Sequence, residues 1–279
     1  MTEIPAESNA FVKFGGALAD LAARESLPRF RSSVSVENKI DEAIAPDTDA
    51  AGERRTFDPV TLADRNAERI MRNAIAETYP DHGIIGEEYG RSNDAAEHIW
   101  VLDPIDGTRA FICGIPTWGT LIGLLQDGCA VAGVMDQPYL RERFSGDGNA
   151  AWLTKGDAPP TRLATSGKTE LATAYLTSTS PHLFATGTED QAFHRVRERV
   201  LTVRYGLDCY GYCLLAAGHI DCVVEAGLAP YDIVALIPIV EGAGGIITTW
   251  DGAPATNGGR IAASATPELH SRLLDTLAG

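Results

Sequence analysis

A chain of 279 residues with 44% hydrophobic content can bury one large domain or two closely packed ones. Its 38 acidic residues against 23 basic ones give a formal net charge of −15, which excludes nucleic acid and anionic membrane as the main partner, because both demand basic surface. An anionic substrate stays open if divalent cations stand between it and the protein. The first ten residues, MTEIPAESNA, hold no cationic segment followed by an apolar core, and no apolar run is long enough to span a bilayer. The five cysteines are odd in number and irregularly spaced, Cys209 and Cys213 do not form a Cys-x-x-Cys pair, and they read as reduced thiols of a cytoplasmic protein. The six histidines show no zinc-ligand spacing.

In chain order, residues 8–27 read as a helix. Residues 45–56, with Pro46, Asp47, Thr48, Asp49 and Gly52, read as a hairpin or a mobile loop. A second helix is expected over 64–79, where Ala67, Ile70, Met71, Ala74 and Ile75 recur at helical spacing. The segment GIIGEEYG (83–90) is a short apolar step ending in Glu87 and Glu88. HIWVLD (98–103) is a strand signal, and TLIGLLQDGCAVAGVMDQP reads as a hairpin turning at Asp127-Gly128. A short strand is expected at 151–153, and the Pro-, Gly- and Thr-rich stretch near 155 connects two halves. Beyond it, strands at 173–179, 202–206, 220–226 and 245–249 alternate with helices at 189–200, 209–218 and 230–244. That alternation points to a layered α/β arrangement.

Four acidic clusters stand at element ends. In WVLDPIDGTRAF, Asp103 and Asp106 sit three apart on a turn that closes an apolar strand. Hard divalent cations take carboxylate oxygens, and Gly107 and Thr108 offer backbone N–H groups at the start of the next element. Asp-Pro and Asp-Gly are also ordinary turn chemistry. DPVTLAD supplies Thr61 and Asp64 at a helix start, where Thr61 reads equally as a cap. EAGLAPYDIVA supplies Asp232 at another helix start, with Glu225 at a strand end before it, and an aspartate in that position is also a common cap.

Together DPVTLAD, GEEYG, WVLDPIDGTRAF and PYDIVALIPIVEGAGG resemble the inositol monophosphatase superfamily of metal-dependent, lithium-sensitive phosphatases, in that family's order and over nearly the whole chain. Within it the chain is most similar to the histidinol-phosphatase branch, on DGTRAF, GIPTWGTLIGL and GLDCYGYCLLAAGHIDCVVEAGLAPYDI. Inositol phosphatases usually show Asn and Trp where this chain has Ala110 and Tyr231. The resemblance implies an α/β/α/β/α layered sandwich of the inositol monophosphatase and fructose-1,6-bisphosphatase type. An N-terminal part (1–155) would carry most metal ligands. A C-terminal part (156–279) would add Asp232 and the substrate pocket. It also implies homodimers, as is common among relatives.

Carried over by position, the resemblance makes Glu87, Asp103, Asp106, Asp232 and the Ile105 carbonyl ligands of two or three Mg²⁺ ions. Gly107 and Thr108, beside Asp106, would hold the phosphate. Asp64 would serve a metal-bound water and pair with the Thr108 hydroxyl, so that Asp64, Glu87 and Thr108 form the catalytic group. Glu225 matches a substrate-contacting position; Asp208 and Tyr210 are further pocket candidates, or an N-cap and core packing. Trp118 reads as core before it reads as a substrate platform, and Gly242, Gly244 and Gly245 as close helix–strand packing before a phosphate loop. The implied substrate is L-histidinol phosphate. Rivals are inositol monophosphate, a nucleotide 3′-phosphate, a sugar bisphosphate, or no catalysis at all in a binding protein on this fold. No Gly-x-x-x-x-Gly-Lys-Ser/Thr loop is present, which argues against an ATPase or kinase.

Overall fold

The computed structural model describes residues 6–32, 36–38 and 59–279; the 45–56 segment lies outside them. The first half contains α1 (Ala6–Ser26), β1 (Val36–Asn38), β2 (Pro59–Thr61), α2 (Leu62–Thr78), β3 (Gly83–Gly86), β4 (Gly90–Ser92), β5 (His98–Asp106) and α3 (Thr108–Ile112). A meander comes next: β6 (Gly119–Gln126), β7 (Cys129–Gln137), β8 (Glu142–Gly146), β9 (Ala151–Lys155) and β10 (Thr161–Arg162). The second half runs β11 (Tyr175–Ser178), α4 (Thr188–Arg197), β12 (Thr202–Tyr205), α5 (Cys209–Ala216), β13 (Cys222–Leu228), α6 (Pro230–Ile233), α7 (Leu236–Gly242), β14 (Ile246–Thr249), β15 (Gly259–Ser264) and α8 (Pro267–Ala278).

Eight strands form one sheet in the order β10-β9-β8-β7-β6-β5-β3-β4, antiparallel except for the β3–β5 pair. Five form a second, in the order β12-β11-β13-β15-β14. The expected hairpin turns at Asp127 and Gly128, both with positive φ (49° and 78°), which is the type I′ backbone that matches strand twist. Helices α1 and α2 cover one face of the large sheet, and α5, α6 and α7 fill the space between the two sheets. Helices α4 and α8 close the far face of the small sheet. The result is the five-layer α/β/α/β/α order that the family resemblance implied.

The middle layer lies unusually close to the large sheet. Gly123, Gly133 and Gly146 are cross-strand neighbours on β6, β7 and β8. A Cβ at Gly133 would stand 1.9 Å from the Ala235 carbonyl oxygen, and one at Gly146 would stand 2.3 Å from that of Pro238. The chain that carries Asp232 into its place therefore rests backbone to backbone on a bare strip of sheet. Gly242 acts alike against the Ala150 carbonyl, so this glycine serves packing. The single helix expected over 230–244 is instead two. Pro238 has no N–H for the Val234 carbonyl, and its ring would collide with it, so the helix breaks one turn earlier, at Val234 and Ala235.

No helix among the described residues is long and apolar enough to cross a membrane. All five cysteines are free thiols. Trp118 is core, packed with Phe30, Ile105, Ala110 and Phe111.

In the outermost layer His270 is buried between Thr248 Oγ1 (2.8 Å) and Ser264 Oγ (3.2 Å), and burial pushes its pKa from 6.5 to about 4. A histidine depressed on folding makes the folded state lose stability as pH falls below the unfolded value, because the unfolded chain binds the proton first. The loss is about 2 kcal/mol at pH 5. Urea unfolding at pH 7.5 and pH 5 should show His270→Gln losing about 2 kcal/mol less than wild type over that interval. Equal losses would contradict this assignment.

Candidate active site

Two residues three apart on a regular strand face opposite sides of the sheet. Asp103 and Asp106 nonetheless face one cleft, because β5 is irregular between them: Asp103 pairs with Leu121 and Asp106 with Gly119, so three steps on β5 match two on β6. The extra residue falls at Pro104-Ile105, where proline has no N–H to give the ladder. The bulge is pinned from three directions. Ile105 N–H donates to Asp103 Oδ1 at 3.0 Å, Thr120 Oγ1 donates to the Pro104 carbonyl at 2.8 Å, and the Ile105 side chain is fully buried. Gly107 comes next with φ 78° as the N-cap of α3, where a Cβ would press on the Asp208 carboxylate at 3.0 Å.

Asp232 arrives from the other half. Its Oδ2 accepts the Ala229 N–H at 2.7 Å, which fixes it in the first turn of α6. One oxygen each from Asp103, Asp106 and Asp232 lie within 4.8 Å of one another. Glu87, at the end of β3, comes within hydrogen-bonding reach of Asp103, and its N–H donates to the Leu102 carbonyl. Asp106 also accepts the Cys209 N–H at 2.8 Å, so it caps α5 from across the cleft. Asp208, a pocket candidate that could equally have capped α5, stands at the N-cap position but makes no capping bond. It has φ 48° and ψ −142°, a costly backbone for a non-glycine residue, and its carboxylate meets Thr117 Oγ1 at 3.3 Å.

Two expectations need correction. The Asp64–Thr108 pair is not formed. Asp64 is the third residue of a capping box, and its Oδ2 accepts from both the backbone and the hydroxyl of Thr61. The Thr108 hydroxyl donates to the Ile105 carbonyl at 3.1 Å instead. Second, Tyr210 is not among the residues that line the acidic cavity: its hydroxyl donates to Glu142 and its ring packs edge-on against Phe144. Tyr212 takes that place. With Asp106, Asp208, Glu225, Asp232, Thr179, Leu183, Cys209 and Leu228 it lines a cavity of about 130 Å³. Within it Glu225 accepts from Thr179 N–H (2.8 Å), Thr179 Oγ1 (2.6 Å) and Tyr212 Oη (3.2 Å).

These carboxylates hold one another in a costly state. Burial pushes Asp103 well above the usual carboxylate range, and the charges of Glu87, Asp106 and Asp232 push it further. Burial, then Asp232 and Asp208, do the same to Asp106. Burial raises Asp64 to about 6 against the Thr61 bonds, raises Asp208 to about 6 against Thr117 and Arg109, and raises Glu225 to about 7 against Thr179. Asp64 Oδ1 is buried and accepts no hydrogen bond from any described residue. Convergent, mutually repelling oxygen donors with an orphaned lone pair beside them fit a hard divalent cation, not a soft metal.

A layered sandwich with such an acidic bulge offers a divalent-cation site, and comparison with known proteins supplies the class. The inositol monophosphatase family model matches residues 24–278, and the chain belongs to that family. It is 40% identical to the bifunctional phosphatase IMPL2, chloroplastic, of Arabidopsis thaliana, over 97% of this chain and 76% of the relative. It is 36% identical to the histidinol-phosphatase of Mycobacterium tuberculosis, over 78% and 84%. A solved structure of an inositol monophosphatase from Zymomonas mobilis superposes with a TM-score of 0.79 at 35% identity, covering 99% of this chain and all of that one. The chain is thus a metal-dependent phosphomonoesterase of this family.

Proposed function

We propose that the chain hydrolyses L-histidinol phosphate to L-histidinol and phosphate. The observation that carries this reading is the cavity beside the bulge. Asp208 and Glu225 share its wall with Asp106 and Asp232, and only the last two belong to the converging set. Two further carboxylates facing the organic part of a phosphate ester suit a substrate with an ammonium group. An uncharged polyol gives them no charge partner.

In this reading Glu87, Asp103, Asp106, Asp232 and the Ile105 carbonyl hold Mg²⁺. When bound, the ions neutralise the phosphate dianion and acidify a water. The chain supplies the rest. The N–H groups of Gly107 and Thr108 open α3, where no intrahelical acceptor exists for them, and they orient the phosphate oxygens. Asp64 Oδ1 is the open acceptor for the proton of the attacking water. Asp208 is held in a strained backbone by the close approach of Gly107 and by Thr117, and so keeps its carboxylate turned to the cavity instead of capping α5. Leu183 and Leu228 exclude water beside it.

Phosphate release from a panel, with Mg²⁺ present, tests the proposal. L-histidinol phosphate should give the highest kcat/KM among inositol 1-phosphate, a nucleotide 3′-phosphate and a sugar bisphosphate. Asp208→Asn should raise KM for histidinol phosphate about 10- to 100-fold, the worth of one charged hydrogen bond, and leave KM for inositol 1-phosphate nearly unchanged. Faster turnover of inositol 1-phosphate by the wild type would overturn it.

A further inference from the structure

Glu68 has no part in the chemistry described so far, yet it is completely buried. It stands on α2 one turn beyond Asp64, on the same face of the helix. Its Oε2 accepts the Glu88 N–H at 2.7 Å, and its Oε1 accepts the Tyr89 N–H at 3.2 Å and Arg72 Nε at 2.7 Å. Arg72 then donates to the Gly90 carbonyl and to Ser92 Oγ at 3.4 Å. The turn after Glu87 is thereby tied to the helix that bears Asp64. On the near side a Cβ at Gly86 would lie 1.9 Å from Glu68 Oε1, so the carboxylate fills the space that glycine leaves. Glu87 is thus held between the β5 backbone, through its own N–H, and the Glu68 carboxylate.

From this arrangement we infer that Glu68 is a positioning residue: it sets the Glu87 carboxylate against Asp103 and ties it in register with Asp64. A buried charge is costly unless it is paired and hydrogen-bonded. Two backbone N–H groups and one guanidinium meet that condition here. A carboxylate is also the side chain required. The amide of a glutamine would turn an N–H₂ toward donors that need an acceptor. The inference rests on Glu87 being a metal ligand.

The test is Mg²⁺ binding measured by calorimetry on metal-free wild type, Glu68→Gln and Arg72→Gln, together with the rise in Tm that Mg²⁺ produces. Glu68→Gln should bind Mg²⁺ about 10- to 100-fold more weakly, as loss of a group orienting a ligand does. Arg72→Gln, which leaves both N–H bonds in place, should lose less. KM for the phosphate ester at saturating Mg²⁺ should stay at the wild-type value in both. Unchanged Mg²⁺ affinity in a folded Glu68→Gln, with only a lower metal-free Tm, would overturn the inference. If that variant does not fold, unchanged affinity in Arg72→Gln overturns it instead. A wild type that binds no Mg²⁺ would remove the metal-site reading itself, a separate outcome from variants that bind as well as wild type.

Discussion

Asp103→Asn is expected to lower phosphate release by about a thousandfold or more, at least the loss seen when one preorganised electrostatic contact to a transition state is removed. The same change should make the metal-free protein more stable, by about 1–3 kcal/mol at pH 8, because it deletes a buried carboxylate facing three others. Asn keeps Oδ1 for the Ile105 N–H, so the bulge itself should survive. The pH dependence has a definite sign. A carboxylate whose pKa is raised on folding contributes stability fully below its unfolded value, and that stability is lost as pH rises through the folded value. Asp64 and Asp208 complete this near pH 6 and Glu225 near pH 7, and Asp103 and Asp106, pushed well above the carboxylate range by burial and by one another, act in the same direction. His270 acts oppositely but is exhausted above its unfolded pKa of 6.5. Metal-free wild type should therefore lose stability from pH 7 to pH 8.5, and Asp103→Asn should lose less. Unfolding in EDTA at both pH values measures it. A variant less stable than wild type, or one that keeps its activity, would contradict the acidic cluster's role.

Gly133→Ala should be the most damaging single methyl in the large sheet. Its Cβ would overlap the Ala235 carbonyl oxygen at 1.9 Å, and both partners are backbone, so neither can swing aside. We expect a loss above about 3 kcal/mol, at the upper end of overpacking. We also expect weaker Mg²⁺ binding, because the displaced segment carries Asp232. Gly16→Ala is the contrast. It lies within α1, its Cβ would meet only the tip of Arg143 at 3.3 Å, and it should gain up to about 1 kcal/mol from helix propensity. Thermal unfolding of both variants checks the pair. Similar small effects at both positions would show that the middle layer does not rest on the glycine strip.

The acids of the site were legible in the sequence, but their convergence was not. Asp103 and Asp106 stand out in WVLDPIDGTRAF, yet a regular strand would part them, and only Pro104 hints at the bulge. The error over Tyr210 is one of helical phase. Positions 210 and 212 are about 200° apart on α5, and Asp208 and Tyr212, four apart, share a face, so the signal was available. Glu68 carried a similar signal, four residues after Asp64. The Asp64–Thr108 pairing is absent because the Thr108 hydroxyl turns to the Ile105 carbonyl three residues back, a local bond, and leaves Asp64 Oδ1 open. Ala110, one of the positions separating the histidinol and inositol branches in sequence, is buried among Phe30, Phe111 and Trp118 and does not line the cavity. Strand β15 and helix α8 match no expectation drawn from sequence, although Thr266 and Pro267 form a clear helix start. The broken α6–α7 segment shows Pro238 acting one turn before its own position.

If the bulge in β5 and the first turn of α6 together build a divalent-cation centre, the metal itself should be visible there. Anomalous diffraction from crystals soaked in Mn²⁺, at a wavelength chosen for that metal, is the most direct measurement. The expected result is a peak in contact with Asp103, Asp106 and Asp232, lost in crystals of Asp103→Asn. A peak bound elsewhere, with none between these three carboxylates in enzyme that Mn²⁺ activates, would contradict it.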